Sequence, residues 1–330
     1  MSDTKYGVVA LGNALVDVLS QVSDDFITTQ KEEHGMEKGA MTLVEENRAV
    51  DLYAQMPQGV ETSGGSAANT MAGFASFGGK GAFIGKVADD DLGKVYKNDM
   101  QSLGVTFDTT PLILGASTGR CMILVTPDAD RTMNTFLGAS IELSPIDVDR
   151  DVISSAKVTY LEGYLFDRAQ AKEAFITAAE YAHEAGHRIA LTLSDPFCVD
   201  RHRDDFLQLV EKHVDILFAN EDEIKSLFMQ DNFDDAISAI SKHVEIAVIT
   251  RSAKGAIIIS KGQQIKIDAV PVENVVDTTG AGDQFAAGFL YGFTQGKSLE
   301  ESGKLAAIAA AEVISHIGAR PAVNLAELAA

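Results

Sequence analysis

From Asp151 onward, short apolar runs alternate with helical stretches, and this alternation constrains the fold more than any other feature. Residues 157–161, 188–193, 216–220 and 246–250 have the length and apolar content of strands. Between them, residues 170–185, 204–213 and 234–243 carry apolar side chains at helical spacing. Strands joined through helices align in a parallel sheet with helices on both faces. Ligands of such sheets gather at the carboxyl ends of the strands. Asn220 and Glu223 stand at one such end, and Thr250 with Gly255 stands at another.

With 330 residues, 46% of them hydrophobic, the chain can bury a large core. One α/β domain over 1–330 with an elaboration fits this length best. Lys+Arg 27 against Asp+Glu 48 gives a net charge of −21, so nucleic acid and anionic membrane are repelled over most of the surface. A small anion can still bind where backbone N–H groups, Mg²⁺ and one or two basic residues override that field. Cys121 and Cys198 alone make no disulfide framework and no metal-ligand spacing, which reads as a reduced, cytoplasmic setting. The start has no apolar signal core, and no apolar run approaches the roughly 20 residues that span a bilayer.

The N-terminal half is less regular. Residues 6–11 read as a strand broken by Gly12-Asn13, after which Asp17 interrupts an apolar run. Asp17 is either a turn aspartate satisfied by backbone or a carboxylate that accepts hydrogen bonds from the paired hydroxyls of a sugar. Residues 36–44 read as a strand and 45–56 as a helix. Gly64-Gly65 precedes a helix of small residues running to Phe77, in which Asn69 offers both a donor and an acceptor. Asp91 reads as the cap of a helix through Leu103, closed by Gly104. Residues 105–114 and 118–126 read as strands, with a turn at 127–130. Two strands near 15–45 and two near 107–126 predict a small sheet projecting as a lid, built from about residues 14–46 and 105–136. Arg131, just after the turn, is either a phosphate clamp or a surface arginine.

The chemistry concentrates in Asp277-Thr278-Thr279-Gly280-Ala281-Gly282-Asp283, followed by a small-residue helix. Gly280 and Gly282 permit close approach, and the N–H groups of Gly280, Ala281 and Gly282 converge where the helix dipole favours an anion. Asp283, in the first turn beside that anion, suits a general base that takes a proton from an attacking hydroxyl. The chemistry implied is phosphoryl transfer to an alcohol. A capping box at Ser298 opens an alanine-rich helix to about His316, ended by Gly318-Ala319-Arg320-Pro321.

The string from Asp277 to Leu290 resembles the C-terminal signature of the ribokinase-like (PfkB) carbohydrate and nucleoside kinases. Gly64-Gly65-Ser66-Ala67-Ala68-Asn69, with Gly78-Gly79 and residues 84–93, resembles the N-terminal signature. Gly12-Asn13 and Asp17 resemble the adenosine kinase branch. The resemblance implies a three-layer α/β/α sandwich with a mostly parallel central sheet and a small β-sheet lid. It implies ATP as cosubstrate, with Asn220 and Glu223 acting on Mg²⁺ through water, and Thr250, Gly255 and Gly318 beside the nucleotide. Asn13, Asp17, Gly64, Gly65, Asn69 and Arg131 then meet the acceptor, while Asp277 and Thr279 border a monovalent-cation (K⁺) site. The acceptor is expected to be adenosine at its 5′-hydroxyl or a related nucleoside. The alternatives are a sugar (ribose, fructose or a 2-keto-3-deoxygluconate), or a noncatalytic nucleotide or sugar sensor on the same fold. A nucleobase wall among Phe136, Phe166 and Phe197 is a guess, and Arg131 or Arg168 would have to meet the carboxylate of a keto-deoxy acid. The protein is expected to be a monomer or a homodimer through the lid.

Overall fold

The computed structural model describes residues 4–128 and 130–330; residues 1–3 of the start and Ala129 of the 127–130 turn lie outside the described residues. The main sheet has nine strands in the order Gln263–Ile267, Ala256–Ser260, Ile246–Thr250, Ile216–Asn220, Arg188–Thr192, Ala156–Glu162, Tyr6–Leu11, Gly81–Ile84 and Val105–Thr106. Its first two strands pair antiparallel, and the other seven run parallel to one another.

Side chains alternate across a strand, so both faces must be covered when both are apolar. Val8 and Ala10 pack on one face with Ala287 and Phe289, and Val9 and Leu11 pack on the other with Phe175 and Leu191. Helices Ser66–Ser76, Ala281–Thr294 and Leu299–Val313 cover the first face; Ala169–Glu184, Pro196–His213, Glu221–Phe228 and Phe233–Ile240 cover the second. Burying a side chain such as Val8 or Leu11 completely contributes about 1.5–3 kcal/mol before the entropy of ordering it. The result is the expected three-layer α/β/α sandwich around a mostly parallel sheet.

A second sheet of five strands runs in the order Met41–Leu43, Arg131–Phe136, Gly119–Val125, Leu15–Gln21 and Val60–Gly64. Val16, Val18, Met122 and Leu124 face the helices Asp24–His34 and Glu46–Gln55 through Ile27, Ala49 and Leu52. Leu15, Asp17, Leu19, Cys121, Ile123, Met133 and Thr135 alternate with them and line a cavity against the main domain.

The structure corrects several element readings. Residues 105–114 do not form one strand: Val105–Thr106 joins the edge of the main sheet, and beyond it only Leu112 makes a bridge, to Ala88. Pro111 has no N–H for a ladder, which breaks the run despite its apolar content. Conversely, the Val60–Gly64 strand is polar and was unread, because an edge strand has no second neighbour to select for apolar residues. The strand expected over 36–44 is only Met41–Leu43. Asp90, not Asp91, caps the Asp91–Ser102 helix, its side chain accepting from the Gly93 N–H. The helix expected over 204–213 begins earlier, at Pro196, and kinks at His202. The antiparallel pair Ala256–Ser260 and Gln263–Ile267, absent from the sequence reading, closes one edge of the sheet.

Candidate active site

Two cavities meet beneath the second sheet. The larger, about 620 Å³, lies between that sheet and the main domain and includes Asn13, Asp17, Gly65, Tyr164, Phe197 and Arg320 in its lining. The smaller, about 350 Å³, lies at the carboxyl ends of parallel strands and is lined by Asn220, Glu223, Thr250 and residues 278–283. Ser66, Asn69, Tyr164 and Thr279 line both.

The wall between them is built by the turn into the Ala281–Thr294 helix. Gly280 sits at φ +78° with its Cα face against Ala319, where a Cβ would lie 2.5 Å from the Ala319 carbonyl oxygen. A left-handed backbone and that contact together require glycine. Gly282 faces open space instead, since a Cβ there would meet nothing within 4 Å. Of the three expected N–H donors, that of Ala281 is spent on the Thr278 carbonyl at 3.2 Å.

Asp283 is half-buried and lines the smaller cavity. Its Oδ1 accepts from Ser66 Oγ at 2.6 Å and its Oδ2 from Asn69 Nδ2 at 3.3 Å. Burial pushes its carboxyl up to about 6; the bonds from Ser66 and Asn69 oppose that, Asp17 adds to it, and Arg320 opposes it. Asp17 is likewise pushed up to about 6 by burial, against Arg320 and Arg131, and faces the larger cavity with no protein hydrogen bond among the described residues. Gly64 makes room for it: a Cβ would stand 2.3 Å from Asp17 Cγ. Gly65, at φ +97°, would drive a Cβ to 2.1 Å from the Asn13 carbonyl oxygen.

Asn13, expected at the acceptor, lines the larger cavity with both ends of its amide engaged. Its Nδ2 donates to Glu162 Oε1 at 2.8 Å, and its Oδ1 accepts from Ser140 Oγ at 2.9 Å. Glu162 was missed, although a lone acid ending an apolar strand is a legible signal. Its Oε2 also accepts from the Ala67 N–H at 2.8 Å, and burial pushes it up to about 7, opposed by the bonds from Ala67 and Asn13.

In the smaller cavity, Asn220 and Glu223 form a capping box: Glu223 Oε1 accepts from Asn220 Nδ2 at 2.6 Å, and Oε2 from the Asn220 N–H at 2.9 Å. Burial pushes Glu223 up to about 7 against the Asn220 bond, with Asp195, Asp222 and Asp283 adding to the rise. Thr250 lines the smaller cavity; Gly255 does not, and its positive φ serves a turn where a Cβ would lie 2.0 Å from the Ile267 carbonyl. Gly318 lines the larger cavity and donates its N–H to Asp277 Oδ2 at 2.9 Å. Arg131 pairs through Nη1 with Asp277 and donates to Thr279 Oγ1 at 3.1 Å. Asp277 is thus committed to a guanidinium and two N–H groups, those of Gly318 and Thr279.

Of the guessed aromatic residues, Phe166 stacks on Phe206 and Phe136 is buried in the core, whereas Phe197 is 76% exposed and lines the larger cavity. Tyr164, not singled out from sequence, lines both cavities. Arg168 lines neither. Among the described residues no cluster of three or more His, Cys, Asp or Glu could hold a metal, and no helix is long and apolar enough to cross a membrane.

Comparison with known proteins agrees with this architecture. The pfkB family carbohydrate kinase profile matches residues 40–325. Over 98% of this chain and 98% of its own, the structure of adenosine kinase from Sinorhizobium meliloti is 48% identical, with a TM-score of 0.89. A probable sugar kinase from Rhizobium etli CFN 42 is 47% identical with a TM-score of 0.90, covering 99% of this chain and 98% of that one. Adenosine kinase from Saccharomyces cerevisiae is 27% identical over 329 residues, 94% of this chain and 95% of its own. The chain therefore belongs to the pfkB family of carbohydrate kinases, and it is a kinase with an alcohol as acceptor.

Proposed function

We propose that this kinase transfers the γ-phosphoryl of ATP to a primary hydroxyl, and that its acceptor is adenosine or a related nucleoside at the 5′ position. The observation that carries this reading is that Asp283 lines the smaller cavity while its two oxygens are held by Ser66 and Asn69, which line both cavities. The larger cavity takes the acceptor, and its volume of about 620 Å³ suits a nucleoside better than a lone pentose. Asp17 accepts the paired ribose hydroxyls, while Phe197 and Tyr164 supply apolar surface for a base. The near-half identity to the Sinorhizobium meliloti adenosine kinase supports the same acceptor.

In the smaller cavity the triphosphate lies along residues 278–283, where the Gly280 and Gly282 amides and the helix dipole stabilise charge on the phosphoryl in transit. Asp283 takes the hydroxyl proton. Asn220 and Glu223 would hold Mg²⁺ through water, and the ion would supply positive charge for the transferred group. Glu223 fits an indirect hold on that ion, since both its oxygens already accept from Asn220. Arg131 fits a phosphate clamp once released from Asp277. Asp277 and Thr279 do not fit a monovalent-cation site as they stand, because Arg131 supplies the positive charge there.

A sugar acceptor is the second reading, favoured by the near-equal identity to the Rhizobium etli probable sugar kinase. ADP release measured with ATP, Mg²⁺ and a panel of nucleosides and sugars separates the two. Turnover that is highest with adenosine supports the proposal; turnover only with a hexose or keto-deoxy acid overturns it.

The base must be ionised to act, and its carboxyl is pushed up to about 6. Activity is therefore expected to be full above that value and lost as pH falls through it. The kcat/KM for the acceptor should drop about tenfold per pH unit on the acid limb. A profile that stays flat from neutral to pH 5 would remove a group of this kind from the rate.

A further inference from the structure

Arg320 lies in the turn after the Leu299–Val313 helix and reaches back to Asn69, which donates to Asp283. Its Nε donates to Asn69 Oδ1 at 3.1 Å, its Nη2 to Ser63 Oγ at 2.8 Å and its Nη1 to Asp99 Oδ2 at 2.9 Å. Asp99 is fixed in turn by the Ser63 N–H at 2.8 Å and Oγ at 2.6 Å. The turn that carries Arg320 is fastened as well, since Gln284 Nε2 donates to the carbonyls of both Ala319 and Asn69. Three residues, on the Val60–Gly64 strand and the Ser66–Ser76 and Asp91–Ser102 helices, thus converge on one guanidinium.

A guanidinium can only donate, so the atom of Asn69 that faces it must be the carbonyl oxygen. The amide nitrogen is then the atom left to face Asp283. Reversed, the Asn69 oxygen would oppose a carboxylate oxygen, and the base would lose one of its two donors.

Resting on the assignment of Asp283 as the base, we propose that Arg320 is a positioning residue for phosphoryl transfer: it fixes the orientation of the Asn69 amide, through which Asp283 is aimed. It also places a positive charge on the rim of the acceptor cavity. The other titratable groups that act on Asp283 are Asp17 from the second sheet, Tyr160 and Glu162 from the Ala156–Glu162 strand, Tyr164 after it, and Glu223 from the Glu221–Phe228 helix. The tyrosines are neutral at working pH, and burial disfavours charge on the three acids; Arg320 is the permanent cation that lowers the Asp283 carboxyl, and Arg131 joins it only on Asp17.

Two effects are separable. R320M removes both the fork and the charge, so kcat should fall about tenfold, the share of a misaligned base, and the acid limb of kcat/KM should move up by as much as about one pH unit. R320K keeps the charge without the planar fork, so kcat should fall while the acid limb stays near that of the parent protein. Added guanidinium ion should restore part of the turnover of R320A. A purely structural arginine would lower the melting temperature and leave the acid limb in place. Folded R320M with an unmoved limb and a kcat within about twofold of the parent overturns the proposal; if R320M does not fold, R320K with unchanged kcat does the same. D283N, assayed beside them, keeps the two ideas apart. If D283N turns over normally, the base assignment itself fails, whereas an inactive D283N with an unaffected R320M sinks only the role of Arg320.

Discussion

Asp283→Asn is expected to reduce kcat by about 10²–10⁴, the usual share of a general base, while leaving the fold intact. The geometry makes this a narrow experiment. Asn keeps the size of the side chain and can still accept from Ser66 at one atom, so the cavity wall is preserved. Burial favours the neutral form of this residue, so a neutral amide removes a cost that the ionised acid bears in the folded state. The melting temperature at pH 8 should therefore be no lower than that of the parent protein. Stopped turnover with retained thermal stability assigns the loss to chemistry. Turnover within a few-fold of the parent would take the proton acceptor elsewhere, and with it the proposed geometry of transfer.

Asp17→Ala is expected to act on acceptor binding. Its carboxylate faces the larger cavity without a donor from the protein among the described residues, a costly state unless a ligand supplies one. Two hydroxyls bound to a charged acceptor are worth about 1.5–3 kcal/mol each, so kcat/KM should fall roughly 10²–10⁴-fold. Most of that loss should appear in KM for the acceptor, with KM for ATP little changed. The same assay with 2′-deoxyadenosine and 3′-deoxyadenosine against the parent protein should reproduce part of it. An Asp17→Ala variant with an unaltered acceptor KM would place the sugar hydroxyls on other residues.

These two acids were legible because each breaks a local pattern: Asp283 ends a glycine turn at a helix start, and Asp17 interrupts an apolar strand. The central strands were legible for the complementary reason, since Ile216–Asn220 and Ile246–Thr250 are buried on both faces and nearly free of polar residues. Where a strand meets solvent or lies at an edge, the pattern weakens. Val60–Gly64 is Val-Glu-Thr-Ser-Gly and pairs on one side only, whereas residues 105–114 looked like one strand and lose their ladder after Thr106.

Side-chain partnerships were least legible. Asn13 was expected at the acceptor, yet both ends of its amide are engaged, by Glu162 149 residues away and by Ser140 127 residues away. Arg320 reaches Asn69, Asp99 and Ser63 across 251, 221 and 257 residues, and nothing in its own turn marks it. Local chemistry finds the groups that react. Only the fold reveals the ones that hold them.

The clustering of Asp17, Glu162, Glu223 and Asp283 has a thermodynamic consequence. All four are pushed up by burial, to about 6, 7, 7 and 6, so these four groups hold more protons in the folded chain than in the unfolded one from about pH 4 to about pH 7. Their joint contribution to stability is therefore greatest in mild acid and declines as pH rises across that interval. A ligand-free sample should resist heat best under conditions in which it scarcely works, and a calorimetric scan of D17N or D283N against pH should flatten that decline. The active form therefore carries ionised carboxylates whose charge burial disfavours.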